Sequence, residues 1–217
     1  MSIIIPATHE EWLKERRRGI GASDAGTIIG VNHWKSNVQL WEEKTGQTEP
    51  EDISGKPYVQ YGHDAEPHIR ALFALDHPWL TVTYESPYKI IYNDDYPWLF
   101  CTPDGELLDS EGNHGGLEIK TTEIMHSRQW AEWNQRIPDQ YYAQVCHQML
   151  ATGWQFVILR AQIRYTTREG DKRSEMRDYH ISREDAIEDM KALLDAEIEF
   201  WEKVQKKECP ALILPDV

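Results

Sequence analysis

The chain has 217 residues, 40% hydrophobic and 28% charged, with nine tryptophans. That is enough apolar mass for one well-filled core and too little chain for two full domains, so a single domain over 1–217 is expected. A formal charge of -14 excludes a protein that coats nucleic acid nonspecifically, because phosphate binding needs a basic surface, yet it allows acidic residues that gather metal beside a local basic funnel.

Three scattered cysteines with no CxxC pair argue against a disulfide scaffold, a structural zinc or an iron-sulfur cluster. No run approaches a membrane span, so a cytoplasmic chain with no membrane partner is expected. From the amino terminus, Thr8 and Glu11 form a capping-box pattern, and a helix through Trp12 and Leu13 reaches the triplet Arg16, Arg17, Arg18. In GIGASDAGTIIG, Ser23 or Asp24 is placed to cap a short helix that ends near Gly30, and Ser36 starts another through Leu40 and Trp41 to Gly46. Without a GKT or GKS ending this run is not a nucleotide-binding loop.

After the polar connector TEPEDISGKP, the positions Ala65, Ile69, Leu72, Phe73 and Leu75 predict a helix over 58–75 with one side on the core. Glu66 lies at the edge of that stripe. Strand-like segments follow at 79–84, 87–92, 98–101, 104–108 and 115–120, with a hairpin turn over 109–114. A helix is expected around 123–134, and another is marked by Ile137, Tyr141, Tyr142, Val145 and Met149. The run WQFVILRAQI (154–163) reads as a central strand covered on both faces, with 175–181 as its partner. Ser182 and Asp185 open a final helix through Ile187, Met190, Leu194, Ile198 and Trp201. The order predicts an α/β fold, a mixed central sheet flanked by helices.

Chemistry concentrates between Pro103 and Lys120. If 104–108 pairs with 115–120, Asp104 begins one strand where the other ends, and Glu118 and Lys120, two apart, share a face. Two carboxylates held together repel unless a cation joins them. Mg2+ or Mn2+ accepts such hard oxygen ligands, with the Ile119 carbonyl as a further donor and Glu66 completing the acidic set. Lys120 then holds or helps deprotonate an attacking water and neutralises charge on a phosphorane-like transition state. The plain alternative is a turn-capping Asp104 and a surface ion pair. It is weakened by the Pro103-Asp104 placement, the apolar Leu117 and Ile119, and the upstream helix bearing Glu66. Lys14, Arg16, Arg17, Arg18 and Lys35 supply the local basic cluster for phosphates.

The motifs RRRGIGASDAGTIIG, YGHDAEP, TPDGEL, LEIKTT and YYAQVCHQML together resemble the YqaJ-type, lambda-exonuclease-like viral recombinase family of the PD-(D/E)xK nuclease superfamily, from about Trp12 to beyond Leu159. The resemblance implies a restriction-endonuclease-like core and a processive, Mg2+-dependent exonuclease. Such an enzyme degrades one strand of duplex DNA from its 5' end, releases mononucleotides and leaves a 3' tail. It implies that Asp104 and Glu118 bind metal, that Lys120 is catalytic, that Glu66 is the helical glutamate of the site, and that Gln144 lies near the lysine and water. It also implies that Arg16 and Ser23 hold the 5' phosphate, although the adjacent Arg17 and Arg18 leave the register open. A ring-shaped homotrimer acting on double-stranded DNA ends, a single-strand annealing partner, and a phage or prophage origin in a bacterial host belong to the same implication.

Trp34 is a candidate wedge or stacking residue where strands separate, with Lys35 beside it, but abundant tryptophan makes a core role the expectation. Asp94, Asp95 and Asp109 are expected at the surface, and His33, His63, His68 and His147 as packing or surface residues rather than metal ligands. The rival readings are an endonuclease of the same superfamily, a DNA-end-binding module without catalysis, and an acidic scaffold that binds only proteins.

Overall fold

The structure is a computed structural model and describes residues 1–214. The elements follow in chain order: β1 (Ser2–Ile4), α1 (His9–Arg16), β2 (Ile20–Gly21), a 3-10 turn at Ala22–Asp24, α2 (Ala25–Ile28), α3 (Asn37–Lys44), α4 (Pro57–Asp76), β3 (Thr81–Thr83), β4 (Ile90–Tyr92), β5 (Leu99–Cys101), β6 (Gly105–Leu108), β7 (His114–Ile124), α5 (Ser127–Glu132), α6 (Asp139–Thr152), β8 (Phe156–Thr166), β9 (Lys172–Ser182) and α7 (Ile187–Lys206). Helices flank mixed sheets, as the order predicts. Among the described residues, no helix is long and apolar enough to cross a membrane.

The strands divide between two sheets instead of forming one. A five-stranded sheet runs β3-β6-β7-β8-β9, and a four-stranded sheet runs β1-β4-β5-β2. The long strands β7 and β8 pair in parallel over ten residue pairs and form the centre of the first sheet. Their two faces bury different partners. Leu117, Ile119 and Ile158 pack against Ile69 and Phe73 of α4, while Val157, Leu159 and Ala161 pack against α6 through Val145, Cys146 and Met149. Alternation along β7 therefore directs Glu118 toward α6 when Leu117 and Ile119 face α4.

Two glycines at the start of β7 allow this close stacking. A Cβ on Gly115 would stand 2.5 Å from the Phe156 ring, and one on Gly116 would stand 2.4 Å from the Trp154 ring.

Several local expectations change. The helix expected at 123–134 starts only at Ser127, because β7 stays paired with β8 through Ile124. Leu72 and Leu75 of α4 are exposed, so the buried stripe narrows to Ile69 and Phe73. Neither Ser23 nor Asp24 caps α2 with its side chain. The Asp24 carboxylate instead accepts the Gly21 N–H at 3.0 Å and pairs with Lys44 at 2.7 Å. The expected start of the last helix is a Ser182–Asp185 turn, with the regular helix beginning at Ile187. Thr8 caps α1 and Ser36 caps α3, the latter as a full capping box with Gln39.

Trp34 is not in the core. It is 88% exposed, on the loop between α2 and α3.

Candidate active site

Asp104 stands immediately before β6, where that strand has ended as a partner for β7. The last β6–β7 pair is Gly105 with Leu117, so the Ile119 N–H has no strand carbonyl to meet. Asp104 Oδ2 accepts it at 2.8 Å, and the side chain replaces the missing rung of the ladder. A strand residue sends its N–H and C=O to the same edge, so the Ile119 carbonyl also faces this vacated edge.

On the other face of β7, Lys120 Nζ lies 2.7 Å from Glu118 Oε1. Glu118 is only 2% exposed. Gln144 Nε2 donates to its Oε1 at 2.6 Å, and Gln148 Nε2 donates to its Oε2, both from α6 one turn apart. Lys120 also stands over the Tyr141 ring, 4.9 Å from its centroid. Glu66 comes from α4, where Arg70 pairs with it and also donates to the Asp104 backbone carbonyl. Glu66, Asp104, Glu118, Ile119, Lys120 and Gln144 all line one cleft of about 320 Å3.

Electrostatics follow from that crowding. Burial pushes the Asp104 carboxyl well above the usual range, and the neighbouring Glu118 and Glu66 push it further. Burial also raises Glu66, against the pull of Arg70. For Lys120 desolvation works to remove the proton, but Glu118, Tyr141 and Asp104 outweigh it and hold the ammonium charged.

Glu66, Asp104, Glu118 and the Ile119 carbonyl fit a hard divalent cation, since they offer carboxylate and carbonyl oxygens and the carboxylates lack sufficient positive charge. In this arrangement Glu118 is drawn onto Lys120 and the two glutamines, and Glu66 onto Arg70. Among the described residues no three His, Cys, Asp or Glu side chains close into a ready-made cage.

A second, larger cleft of about 850 Å3 shares His63 and Val59 with the first. Arg16, Arg17, Ser23 and Lys35 line it. The charge partners separate the arginines. Arg17 pairs with Glu49 and Arg18 with Glu15, and Arg18 faces a different surface recess beside Tyr92. Lys35 pairs with Glu43 at 2.7 Å and Lys44 with Asp24. Arg16 instead donates to the neutral Ser23 hydroxyl at 3.0 Å, between the rings of Trp12 and Phe100. Among the described residues it is the guanidinium of the triplet with no carboxylate bonded to it.

Residues 11–155 match the model of the YqaJ-like viral recombinase domain. The chain belongs to that family. Its relative YqaJ of Bacillus subtilis (strain 168) is 30% identical over 211 residues, covering 94% of this chain, and the chain spans 59% of that relative's length. Among solved structures, the alkaline exonuclease LHK-Exo from Laribacter hongkongensis shares the fold with a TM-score of 0.69 at 20% identity, covering 92% of this chain and 94% of that one. LHK-Exo in complex with dAMP aligns with a TM-score of 0.63 at 20% identity, over 92% of this chain and 96% of that chain.

Gln148, Arg70 and Asp24 escape the motif-based reading. The signal for Gln148 is its position four residues after Gln144, one helical turn along the same face. Arg70 sits at the same interval from Glu66.

Proposed function

We propose that the chain acts as a single nuclease domain, a divalent-metal-dependent exonuclease that hydrolyses linear double-stranded DNA from the 5' end. It releases mononucleotides and leaves 3' tails for a strand-annealing partner during recombination in a bacterial cell, working as a homotrimer around the duplex. The observation that carries the reading is the continuity of two clefts. One holds Asp104, Glu118, Glu66 and Lys120, the other an arginine beside a hydroxyl, and they meet at His63 and Val59. The dAMP complex of LHK-Exo supports a product of one nucleotide, since a nucleoside monophosphate is what stepwise hydrolysis liberates.

In this reading Asp104, Glu118, Glu66 and the Ile119 carbonyl hold Mg2+, with Mn2+ as a substitute. When bound, the metal supplies Lewis acidity at the scissile phosphate. The remaining work belongs to the chain. Arg16 and Ser23 seat the 5' phosphate by charge-assisted hydrogen bonds and fix the register of the end. Lys120, charged and held by Glu118 and the Tyr141 face, donates a hydrogen bond to the attacking water and offsets charge growing on the phosphate oxygens. Gln144 and Gln148 hold the Glu118 carboxylate in place. Arg70 ties Glu66 to the Asp104 backbone, so α4 and the β5–β6 junction move as one.

The test is digestion of linear duplexes labelled at one 5' or one 3' end, with and without a 5' phosphate, in Mg2+ and in EDTA. A closed circle and the Lys120→Ala chain serve as controls. Immediate release of the 5' label as mononucleotide, dependence on Mg2+ and Lys120, and a spared circle are expected. Cutting of the circle would make the chain an endonuclease. End binding without cleavage would make it a binding module.

A further inference from the structure

Trp34 is the most exposed of the large apolar side chains in the described residues. It has no ring partner there, whereas the other strongly exposed tryptophan, Trp79, packs edge-on to His77 with centroids 5.0 Å apart. The backbone beneath Trp34 is firmly held. Gly30 turns the chain with φ +80° and leaves space that Ile213 of the C-terminal segment fills, its Cγ2 standing 2.3 Å from where a Gly30 Cβ would be. Asn32 receives the Trp34 N–H on Oδ1 at 2.9 Å and donates to Thr27 Oγ1 at 2.9 Å. Asn37, 2% exposed, donates to the Ala211 carbonyl at 2.8 Å and accepts the Ile213 N–H at 3.0 Å. A rigid loop thus presents a bare indole.

Its position gives the indole a partner chemistry. The recess beside Trp34 and the cleft of Arg16 and Ser23 share Asn32 and Lys35, so the indole stands at the rim of the cleft that carries the Arg16 guanidinium. Lys35 is committed to Glu43, while Trp34 presents the largest exposed apolar face of this rim. A flat aromatic face beside a phosphate-seating arginine matches a nucleotide: the arginine takes the phosphate and the ring takes the base. Because the loop is already ordered, stacking costs little conformational entropy.

We propose that Trp34 is a base-stacking residue that receives the face of a nucleobase within the first nucleotides of the DNA end whose 5' phosphate is seated at Arg16 and Ser23. The inference rests on the nuclease reading and adds a subsite to it. Stacking is sequence-tolerant because every base has a π-face, so the subsite grips ends without selecting among them.

The experiment uses 5'-phosphorylated duplexes carrying 2-aminopurine at the first, second or sixth nucleotide from the 5' end. They are titrated with the full chain in EDTA, and in Mg2+ with the Lys120→Ala chain so that the DNA stays intact. Quenching at the first or second position and not at the sixth is expected. Trp34→Ala should lose the quenching and weaken end binding about 5- to 100-fold, Trp34→Phe should restore most of both, and neither should change the urea midpoint, since the indole is 88% exposed. Unchanged quenching and affinity in Trp34→Ala would overturn the stacking role while leaving the nuclease reading standing. A change of oligomeric mass in Trp34→Ala without a change in quenching would also overturn it, and would assign the indole to a contact between copies. Failure of the unmodified chain to bind or digest ends would overturn the nuclease reading and this inference with it.

Discussion

Replacing Gln148 with leucine isolates what the second glutamine does for Glu118. Gln148 Nε2 donates to Glu118 Oε2, while its own Oε1 is buried without a partner. The amide orientation is dictated by the carboxylate, which can only accept. Leucine therefore has two opposed effects on folding. It removes a hydrogen bond to a charged group, worth about 1.5–3 kcal/mol, and it removes an unsatisfied buried acceptor, whose burial costs about 1–3 kcal/mol. The two nearly cancel, so net stability should move by less than about 1.5 kcal/mol, or roughly 3–6 °C in a chain of this size.

The site has no such compensation. Glu118, 2% exposed, keeps Lys120 and Gln144 on Oε1 and loses the donor that fixed Oε2. Partners of a metal-holding carboxylate contribute about 10- to 100-fold to metal affinity or activity. Exonuclease rates measured against Mg2+ concentration should therefore show a half-saturation raised about 10- to 100-fold, beside a urea melt that scarcely shifts. The reasoning is refuted if Gln148→Leu loses more than about 3 kcal/mol of stability while its Mg2+ requirement stays the same. That pairing would make Gln148 a structural residue only.

Arg16→Ala should abolish the preference for 5'-phosphorylated over 5'-hydroxyl ends, a loss of roughly 10- to 100-fold, whereas Arg17→Ala, whose guanidinium is committed to the exposed Glu49, should stay within about 3-fold; competition between the two kinds of end reads both. Gly116→Ala drives a methyl into the Trp154 ring and should cost about 1–3 kcal/mol, lowering the thermal midpoint by roughly 2–12 °C with the fold intact; an unchanged midpoint would show that the ring has room to move. His147, fully buried, bonds Glu197 at 2.6 Å and the Phe100 carbonyl at 2.9 Å; burial lowers its proton affinity, but these partners outweigh it and raise the imidazole above its ordinary value of 6.5. Its stabilisation is therefore complete below the unfolded value and drains away as pH rises through the higher folded value. The stability gap between the unmodified chain and His147→Gln, from urea melts between about pH 6 and pH 9, should shrink with rising pH, and a gap that widens would contradict the sign.

The acidic site was readable because its grammar is local. Strand alternation puts Glu118 and Lys120 on one face, and the turn between 108 and 114 returns Asp104 to them. Helix α4 was equally plain, and with it the inward reach of Glu66. The second sheet was legible only in its strands β4 and β5; β1 and β2 are three and two residues long and pair with strands about eighty to ninety residues away, leaving no period to detect. Gln148 stayed hidden because only the assembled packing shows which side of α6 meets β7. The choice among Arg16, Arg17 and Arg18 depended on carboxylates at Glu49 and Glu15, and the first of these arrives from a distant loop. Trp34 was misplaced because abundance says nothing about address: Trp41, Trp133 and Trp154 are buried in the core, whereas Trp34 sits on a loop that the core does not reach.

The short parallel pair of β2 and β5 sets a distance. Ile20 and Gly21 lie against Leu99 and Phe100. Ser23 follows two residues beyond the first strand, and Asp104 three residues beyond the second. In the proposed reading, the pocket for the end and the carboxylates for the cut thus extend from two strands hydrogen-bonded side by side. On the proposed function such a frame would work as a gauge: the spacing from end to cut would be built into the backbone, and the enzyme would advance by a constant stride whatever the sequence it met.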